Sequence, residues 1–123
     1  MSSVPFTSLW GHDAATDSWA GFPVERAGLL DVLHTVPNVI ILSGDRHEFA
    51  AVELNSGRQN AHRVLEFSTS PLSMFYIPFF RSLRMQSNST VQMKTKSGSE
   101  TQRLIEVPQE RVLKYIPAGN YKW

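Results

Sequence analysis

The chain has 123 residues, a formal net charge of +1 and no cysteine; 41% of its residues are apolar and 19% are charged. This length suits one domain or part of a larger one, and the lack of cysteine excludes disulfides and thiolate metal sites. The small net charge argues against nucleic-acid binding, which requires a clustered basic excess. No apolar run approaches the roughly 20 residues that span a bilayer, and no signal peptide is recognisable at Met1, so the sequence indicates no particular compartment.

The first predicted element is a helix that begins at Pro23. Residues 4–21 before it show neither helical nor alternating periodicity, which is typical of an ordered loop. Pro23 suits a first helical position and Glu25 complements the helix dipole. Pro37 marks the end of the helix. His34, near that end, is predicted to be structural. Apolar residues recur at helical spacing at Val24, Ala27, Leu30 and Leu33, with Leu29 and Val32 beside them. This stripe predicts that the helix packs against a core.

A strand follows at Val39–Leu42, and its four consecutive branched apolar residues are typical of a strand buried on both faces. Ser43 and Gly44 end it, so Asp45 and His47 emerge at its carboxyl end, where α/β sheets place their ligands. Two residues apart in an extended or tightly turned segment, the carboxylate and the imidazole point the same way and can bind a metal ion. A surface turn or a salt-bridged loop is the alternative, because such triplets are common.

Two further strands are predicted to pair as a hairpin. Phe49–Leu54 and Ala61–Phe67 are both extended in pattern and are separated by a turn-rich break. If they pair, Glu53, Arg63 and Glu66 are expected on the exposed face. The helix followed by a buried strand is an α/β unit, so the predicted fold class is α/β in the broad sense, a layered α+β arrangement.

The rest of the chain is more irregular. Met74–Phe80 is the most aromatic run, and Pro78 within it predicts an irregular or short helical segment that packs on the core. From Gln86 to Thr101 the composition turns to Ser, Asn, Thr, Lys and Gly, which predicts a mobile insertion. Leu104–Pro108 and Val112–Pro117 are short strand candidates.

Three motifs, in order, carry a family resemblance. Ile41–Ala50 resembles the last metal motif of the PhoD-like alkaline phosphatases, a branch of the calcineurin-like metallophosphoesterases. Asp17–Arg26 resembles the D-x-W-x-G-[YF]…E-R segment that precedes it in that family, and Phe67–Leu72 resembles the segment that follows. Three motifs in the right order are far more specific than any one, and the resemblance extends from about Ser3 to the end.

The resemblance implies a two-sheet sandwich flanked by helices, with a dinuclear metal centre that hydrolyses phosphate mono- or diesters of small molecules. Asp45 corresponds to a metal ligand, and Ca²⁺ with Fe³⁺ is implied, although a site of this kind also accepts ions such as Mn²⁺. His47 would be either a second ligand or the donor that holds the phosphate and protonates the leaving oxygen. For Asp17 a hydrogen-bonding role behind the metal ligands is implied. Arg26, early in the helix, is either a surface charge or a clamp on a loop carboxylate such as Asp17, and its place in the E-R segment favours the clamp.

The family's earlier metal motifs, an Asp-containing strand, a G-D motif and an Asn segment, do not occur in the chain. We therefore expect residues 1–123 to be a carboxyl-terminal fragment of such a domain, a truncated gene product, or one half of a split domain that a second half complements. Its sheet would then expose an unpaired edge and an uncovered apolar face. The alternative hypothesis is a non-catalytic remnant that acts as an interaction or structural module, through an aromatic patch at Phe75–Phe80.

Overall fold

The computed structural model describes residues 1–11, 16–69, 83–96 and 102–117. Within them, a 3₁₀ turn at Trp19–Gly21 leads into one α-helix and six strands. In chain order these are α1 Pro23–Leu33, β1 Ile40–Ser43, β2 Phe49–Leu54, β3 Val64–Ser68, β4 Thr90–Lys96, β5 Gln102–Pro108 and β6 Glu110–Ile116. This combination of mixed sheets and a helix confirms the predicted α+β fold class. No helix in the described ranges is long and apolar enough to cross a membrane.

The strands form a four-stranded sheet in the order β1-β3-β2-β6 and a two-stranded sheet of β4 and β5. β2 and β3 pair antiparallel, which confirms the predicted hairpin, and β6 pairs antiparallel along the other side of β2. β1 runs parallel to β3 with Ser43 opposite Ser68. The carboxyl ends of β1 and β3 therefore lie side by side at one end of the sheet. There the backbone N–H of Thr69 donates to the carbonyl of Ser43 at 2.9 Å.

One face of the four-stranded sheet carries the core. The amino-terminal segment, residues 5–10, crosses this face, and α1 contributes Leu30 to it. Strand side chains alternate between the two faces of a sheet, so this face collects every second residue of each strand. The buried apolar cluster consists of Phe6, Leu9, Trp10, Leu30, Ile41, Ala50, Val52, Leu54, Val64, Leu83 and Val112.

β1 is not buried on both faces, so that prediction is wrong. Its burial alternates, and the side chains of Ile40 and Leu42 are 57% and 45% exposed. The reason is that, among the described residues, the core packs on the face that carries Ile41, while Ile40 and Leu42 lie on the other face. β1 is also an edge strand of the sheet. Along that edge, the described residues make one bridge, in which the N–H of Ser2 donates to the carbonyl of Leu42 at 2.8 Å. In the part of the chain that the structure describes, the side chains of Ile40 and Leu42 and most of the outer backbone edge of β1 are thus exposed. That the domain is incomplete stays a prediction.

Helix α1 begins at Pro23 as predicted, but its buried face is narrower than the apolar stripe. Leu30 is buried, whereas Val24 is 80% exposed and Val32 is 62% exposed. The helix meets the rest of the chain along the side that also carries Arg26, so most of the stripe faces outward. His34 ends the helix, is buried, and has its Nδ1 2.5 Å from the carbonyl of His62, which confirms its structural role.

The stretch from Gln86 to Thr101 was predicted to be a mobile insertion, yet it contains strand β4. All of β4 pairs with β5, from Thr90 opposite Pro108 to Lys96 opposite Gln102. The β-branched residues of β4 favour an extended backbone. The pairing with β5 stabilises the strand, and a polar composition does not predict such pairing. The two strand candidates at the end of the chain correspond to β5 and β6. The aromatic run at Met74–Phe80 lies outside the described residues, so its predicted packing and its role as a patch stay predictions.

Glu53 was expected on an exposed face but is buried. It accepts hydrogen bonds from Arg63 at 2.9 Å and from Arg111 at 2.7 Å, and both arginine side chains remain half exposed or more. Burial alone would raise the pKa of Glu53, but the two arginines outweigh it and hold the pKa below its ordinary value. The arginine side chains cover the carboxylate, which is why an acidic residue is tolerated there.

Candidate metal-binding loop

The loop of residues 44–48 joins β1 to β2 and carries both candidate ligands. Asp45 and His47 are exposed, whereas Arg46 and Glu48 are partly buried. The loop therefore alternates like a strand, with the two candidate ligands on the outer side. The structure confirms that both follow the carboxyl end of β1, beside the end of β3. Whether they bind metal stays a prediction.

Asp45 occupies an unusual backbone conformation. Its φ is 77°, and the N–H of Arg46 donates to the carbonyl of Gly44 at 3.0 Å. A hydrogen bond across one residue with positive φ is the classic γ-turn, which is rare and strained. Strain of this kind occurs at functional sites, where the surrounding structure maintains it. The turn gives a physical reason for an aspartate to project from the end of β1.

We expect the Asp45→Gly change to raise the free energy of unfolding by about 0.5–1 kcal/mol. Glycine adopts positive φ without strain, and this relief exceeds the extra conformational entropy of glycine in the unfolded chain. Urea unfolding of the metal-free chain measures the effect. Asp45→Asn is the matched control, because asparagine tolerates positive φ about as well as aspartate, and its stability should equal that of the wild type. A glycine variant less stable than the asparagine variant would show that the turn stores no strain.

Two contacts support the loop from inside. The guanidinium carbon of Arg46 lies 5.8 Å from the centre of the Trp10 ring, and Trp10 is only 2% exposed. The hydroxyl of Tyr115, on β6, donates to Oε1 of Glu48 at 2.7 Å. Arg46 and Glu48 are the residues before and after His47. The loop is therefore attached to the rest of the fold on both sides of the histidine.

A buried carboxylate lies directly behind β1. Glu66 is fully buried and accepts from the hydroxyl of Ser43 at 2.6 Å, from the N–H of Phe6 at 2.7 Å and from the N–H of Thr7 at 2.6 Å. Burial raises the pKa of Glu66, although these hydrogen bonds oppose the rise. Glu66 was predicted to be exposed, which is wrong. It lies opposite Ile41 in β3, on the core face, where it ties the end of β1 to the amino-terminal segment.

A second buried carboxylate, Glu110, holds the same segment. It accepts from the hydroxyl of Thr7 at 2.5 Å, from the N–H and hydroxyl of Ser8 at 2.9 and 2.7 Å, and from Nη2 of Arg26 at 2.8 Å. Arg26 also donates through Nε to the carbonyl of Phe6 at 2.6 Å, with its guanidinium 5.2 Å from the Phe6 ring centre. All of these groups are thereby satisfied away from water.

Arg26 is a clamp as the resemblance implies, but its carboxylate is Glu110 and not Asp17, which is exposed. The expectation of an Arg26–Asp17 pair is therefore wrong. Sequence reasoning missed Glu110 because it is separated from Arg26 by 84 residues and stands in a polar stretch without periodicity. A buried partner for Arg26 could have been inferred, but not which of the acidic residues it is.

A separate cleft of about 830 Å³ lies along the exposed edge of β1. Its lining combines parts of the amino-terminal segment, Trp19, Phe22 and Ile40, and does not include Asp45 or His47. The cleft is thus mainly apolar and belongs to the uncovered edge of the sheet. The cleft lining includes the carboxylates of Asp17 and Glu25, but the candidate ligands Asp45 and His47 lie outside the cleft.

The loop presents two exposed side chains that suit a metal ion, Asp45 and His47, while its other carboxylate, Glu48, is partly buried and accepts a hydrogen bond from Tyr115. A carboxylate oxygen and an imidazole nitrogen suit ions such as Ca²⁺, Mn²⁺ and iron. Within the four described ranges, no group of three or more His, Cys, Asp or Glu residues could hold a metal ion. His12 and Asp13 lie outside those ranges. Among the described residues, Asp45 and His47 thus have no third His, Cys, Asp or Glu grouped with them to hold an ion, and their role as ligands stays a prediction.

Comparison with known families places this geometry in context. A family model described as PhoD-like phosphatase matches residues 1–115. The chain belongs to the PhoD-like phosphatase family. No curated protein and no solved structure matches it.

Membership confirms the resemblance of the three motifs and relates this PhoD-like phosphatase to the phosphate-hydrolysing enzymes. The matched region contains the loop of residues 44–48, both buried carboxylates and Arg26. The supports described above are thus features of the PhoD-like portion of the chain.

Proposed function

We propose that this PhoD-like phosphatase hydrolyses phosphate mono- or diesters of small molecules, with metal ions bound in part by Asp45 and His47. One observation supports this most directly. The loop after β1 presents an exposed carboxylate and an exposed imidazole two residues apart, at the edge where parallel strands β1 and β3 end, within the region that the family matches. Ca²⁺ with Fe³⁺ is the proposed metal pair, and Mn²⁺ is a proposed substitute.

The reaction is a displacement at phosphorus. One P–O bond forms to the oxygen of water and the P–O bond to the alcohol breaks, without any change of oxidation state. Bound metal ions supply Lewis acidity, which polarises the phosphoryl group and lowers the pKa of water. In this proposal the Asp45 carboxylate binds metal. The His47 imidazole serves either as a further ligand or as the acid that protonates the departing oxygen.

The other ligands of a two-metal centre are proposed to come from a complementing domain half. Asp45 and His47 account for two donors, and each ion of such a centre requires several. The exposed apolar face at Ile40 and Leu42 is compatible with a further layer at that side of the sheet.

The test is hydrolysis of bis-p-nitrophenyl phosphate by the purified chain, with Ca²⁺ plus Fe³⁺ and separately with Mn²⁺. Asp45→Asn is the control, because it keeps the shape and the positive φ but loses the anionic ligand. Metal-dependent turnover that falls by about two orders of magnitude or more in the control would support the proposal. Equal turnover in the wild type and the control would overturn the role of Asp45. If the chain alone is inactive, the same comparison is made after adding the complementing half.

A further inference from the structure

We propose that Arg46 and Glu48 are positioning residues, which hold the loop of residues 44–48 from inside so that Asp45 and His47 face outward together. The proposal follows from the alternation of exposure along the loop and from the two contacts that attach it to the fold. What Asp45 and His47 then do rests on the proposed function. The positioning itself is a property of the metal-free chain.

The first support is the stack of Arg46 on Trp10. Trp10 is a rigid partner, because it is almost fully buried in the core and its backbone bridges to Leu83. The N–H of Arg84 also donates to the carbonyl of Leu9 at 3.0 Å, which fixes the chain next to the tryptophan. A guanidinium over an indole face is attracted by the ring, more strongly when both are removed from water. The loop is therefore attached to the core immediately after Asp45.

The second support is the hydrogen bond from Tyr115 to Glu48. Tyr115 lies opposite Ala50 in the pairing of β6 with β2, so its hydroxyl is held by the sheet. The acceptor belongs to the residue directly before β2 begins at Phe49. The loop is therefore attached to the sheet immediately after His47, from a different element than Trp10.

The strained turn explains why such supports are needed. Asp45 has a φ of 77°, a conformation that relaxes unless the surrounding structure maintains it. Two interactions hold Arg46, the residue directly after Asp45. Its guanidinium contacts Trp10, and its backbone N–H donates to the carbonyl of Gly44. In this proposal, loss of these contacts lets the backbone at Asp45 relax, which changes the position of its carboxylate relative to His47. Residues that orient metal ligands typically contribute about 10- to 100-fold in metal affinity.

The experiment measures backbone order in the metal-free full chain. Steady-state ¹⁵N heteronuclear NOE values of the Asp45 and His47 amides are compared between the wild type, Arg46→Gln and Tyr115→Phe. Tyr115→Phe removes one oxygen and leaves the packing of the ring in place, so it should fold. Arg46→Lys tests recovery, because lysine keeps the cation over the ring. Arg58→Gln is the matched control, since it removes an arginine from an exposed ion pair with Asp31 beyond the other end of β2.

We expect both amides to be ordered in the wild type and in Arg58→Gln. Their NOE values should fall in Arg46→Gln and in Tyr115→Phe, and recover at least partly in Arg46→Lys. Amides as ordered in Arg46→Gln and Tyr115→Phe as in the wild type would overturn the positioning role. An equal loss of order in Arg58→Gln would also overturn it, because the effect would then be general.

A Mn²⁺ titration of the same samples separates this inference from the proposed function. Paramagnetic broadening of the His47 ring signals reports binding near the loop. We expect the midpoint to rise about 10- to 100-fold in Arg46→Gln and Tyr115→Phe. If the wild type shows no broadening at His47, the proposed metal site is wrong for this chain, while the NOE values still decide the positioning role. If the wild type binds and both variants bind equally well, the supports do not position the ligands.

Discussion

Replacing Arg26 with methionine is expected to lower the free energy of unfolding by about 3–5 kcal/mol. The side chains of Arg26 and Glu110 are only 11% and 5% exposed, so the change leaves a buried carboxylate without its cation. It also removes the hydrogen bond to the carbonyl of Phe6 and the contact with the Phe6 ring. Methionine preserves much of the length and the apolar stem, so the loss reports the charge and its hydrogen bonds. Urea unfolding followed by circular dichroism measures it.

The control for this prediction is Arg58→Met. Arg58 pairs with Asp31 at 2.6 Å, closer than Arg26 lies to Glu110, but these side chains are 65% and 45% exposed. Solvent screens the pair, so the expected loss is about 0–1 kcal/mol. Similar losses in the two variants would contradict the assignment of Arg26 as a buried clamp.

Replacing His47 with glutamine in the catalytically competent protein is expected to lower turnover by about 10²- to 10⁴-fold. The size of the loss for different leaving groups assigns the role of the imidazole. If His47 protonates the departing oxygen, turnover of a phosphodiester with an alkyl leaving group should fall much more than turnover of one with p-nitrophenolate. The reason is that p-nitrophenolate departs without a proton. If His47 is a metal ligand, turnover of the two substrates should fall by the same factor, and the affinity for Mn²⁺ should also fall.

His62→Gln is the matched control for His47, because His62 is also exposed and its contacts with His34 are made by its backbone N–H and carbonyl, which the change retains. Its turnover should match that of the wild type on both substrates. Wild-type rates in His47→Gln on both substrates would remove His47 from the site.

The candidate ligands could be found from the sequence because their signal is local. An apolar run followed by Ser43, Gly44, Asp45 and His47 contains both the strand and the polar residues at its end. The helix start at Pro23 is equally local, as is the hairpin of β2 and β3. In each case, neighbours in the chain determine the backbone conformation, and a short window is sufficient.

Several of the failed expectations concern partners that are distant in the chain. Ile40 and Ile41 look alike in sequence, yet one is exposed and the other is buried, because only one face of β1 is covered. Glu66 is buried because the backbone N–H groups of residues 6 and 7 reach it. Periodicity predicts which residues share a face, but not which face another part of the chain covers.

The two buried carboxylates have a consequence for biosynthesis. Phe6 bonds to Glu66 and Thr7 bonds to Glu110, across 60 and 103 residues of chain. The amino-terminal segment leaves the ribosome before the strands that it contacts, and it obtains its full set of partners only when nearly all of the matched region has been made. Closing such long loops is slow. During translation the amino-terminal segment is therefore not fully held on the core face of the sheet until Glu110 has been made. Until then, apolar surface of the nascent chain is exposed to chaperones or to other copies of the chain.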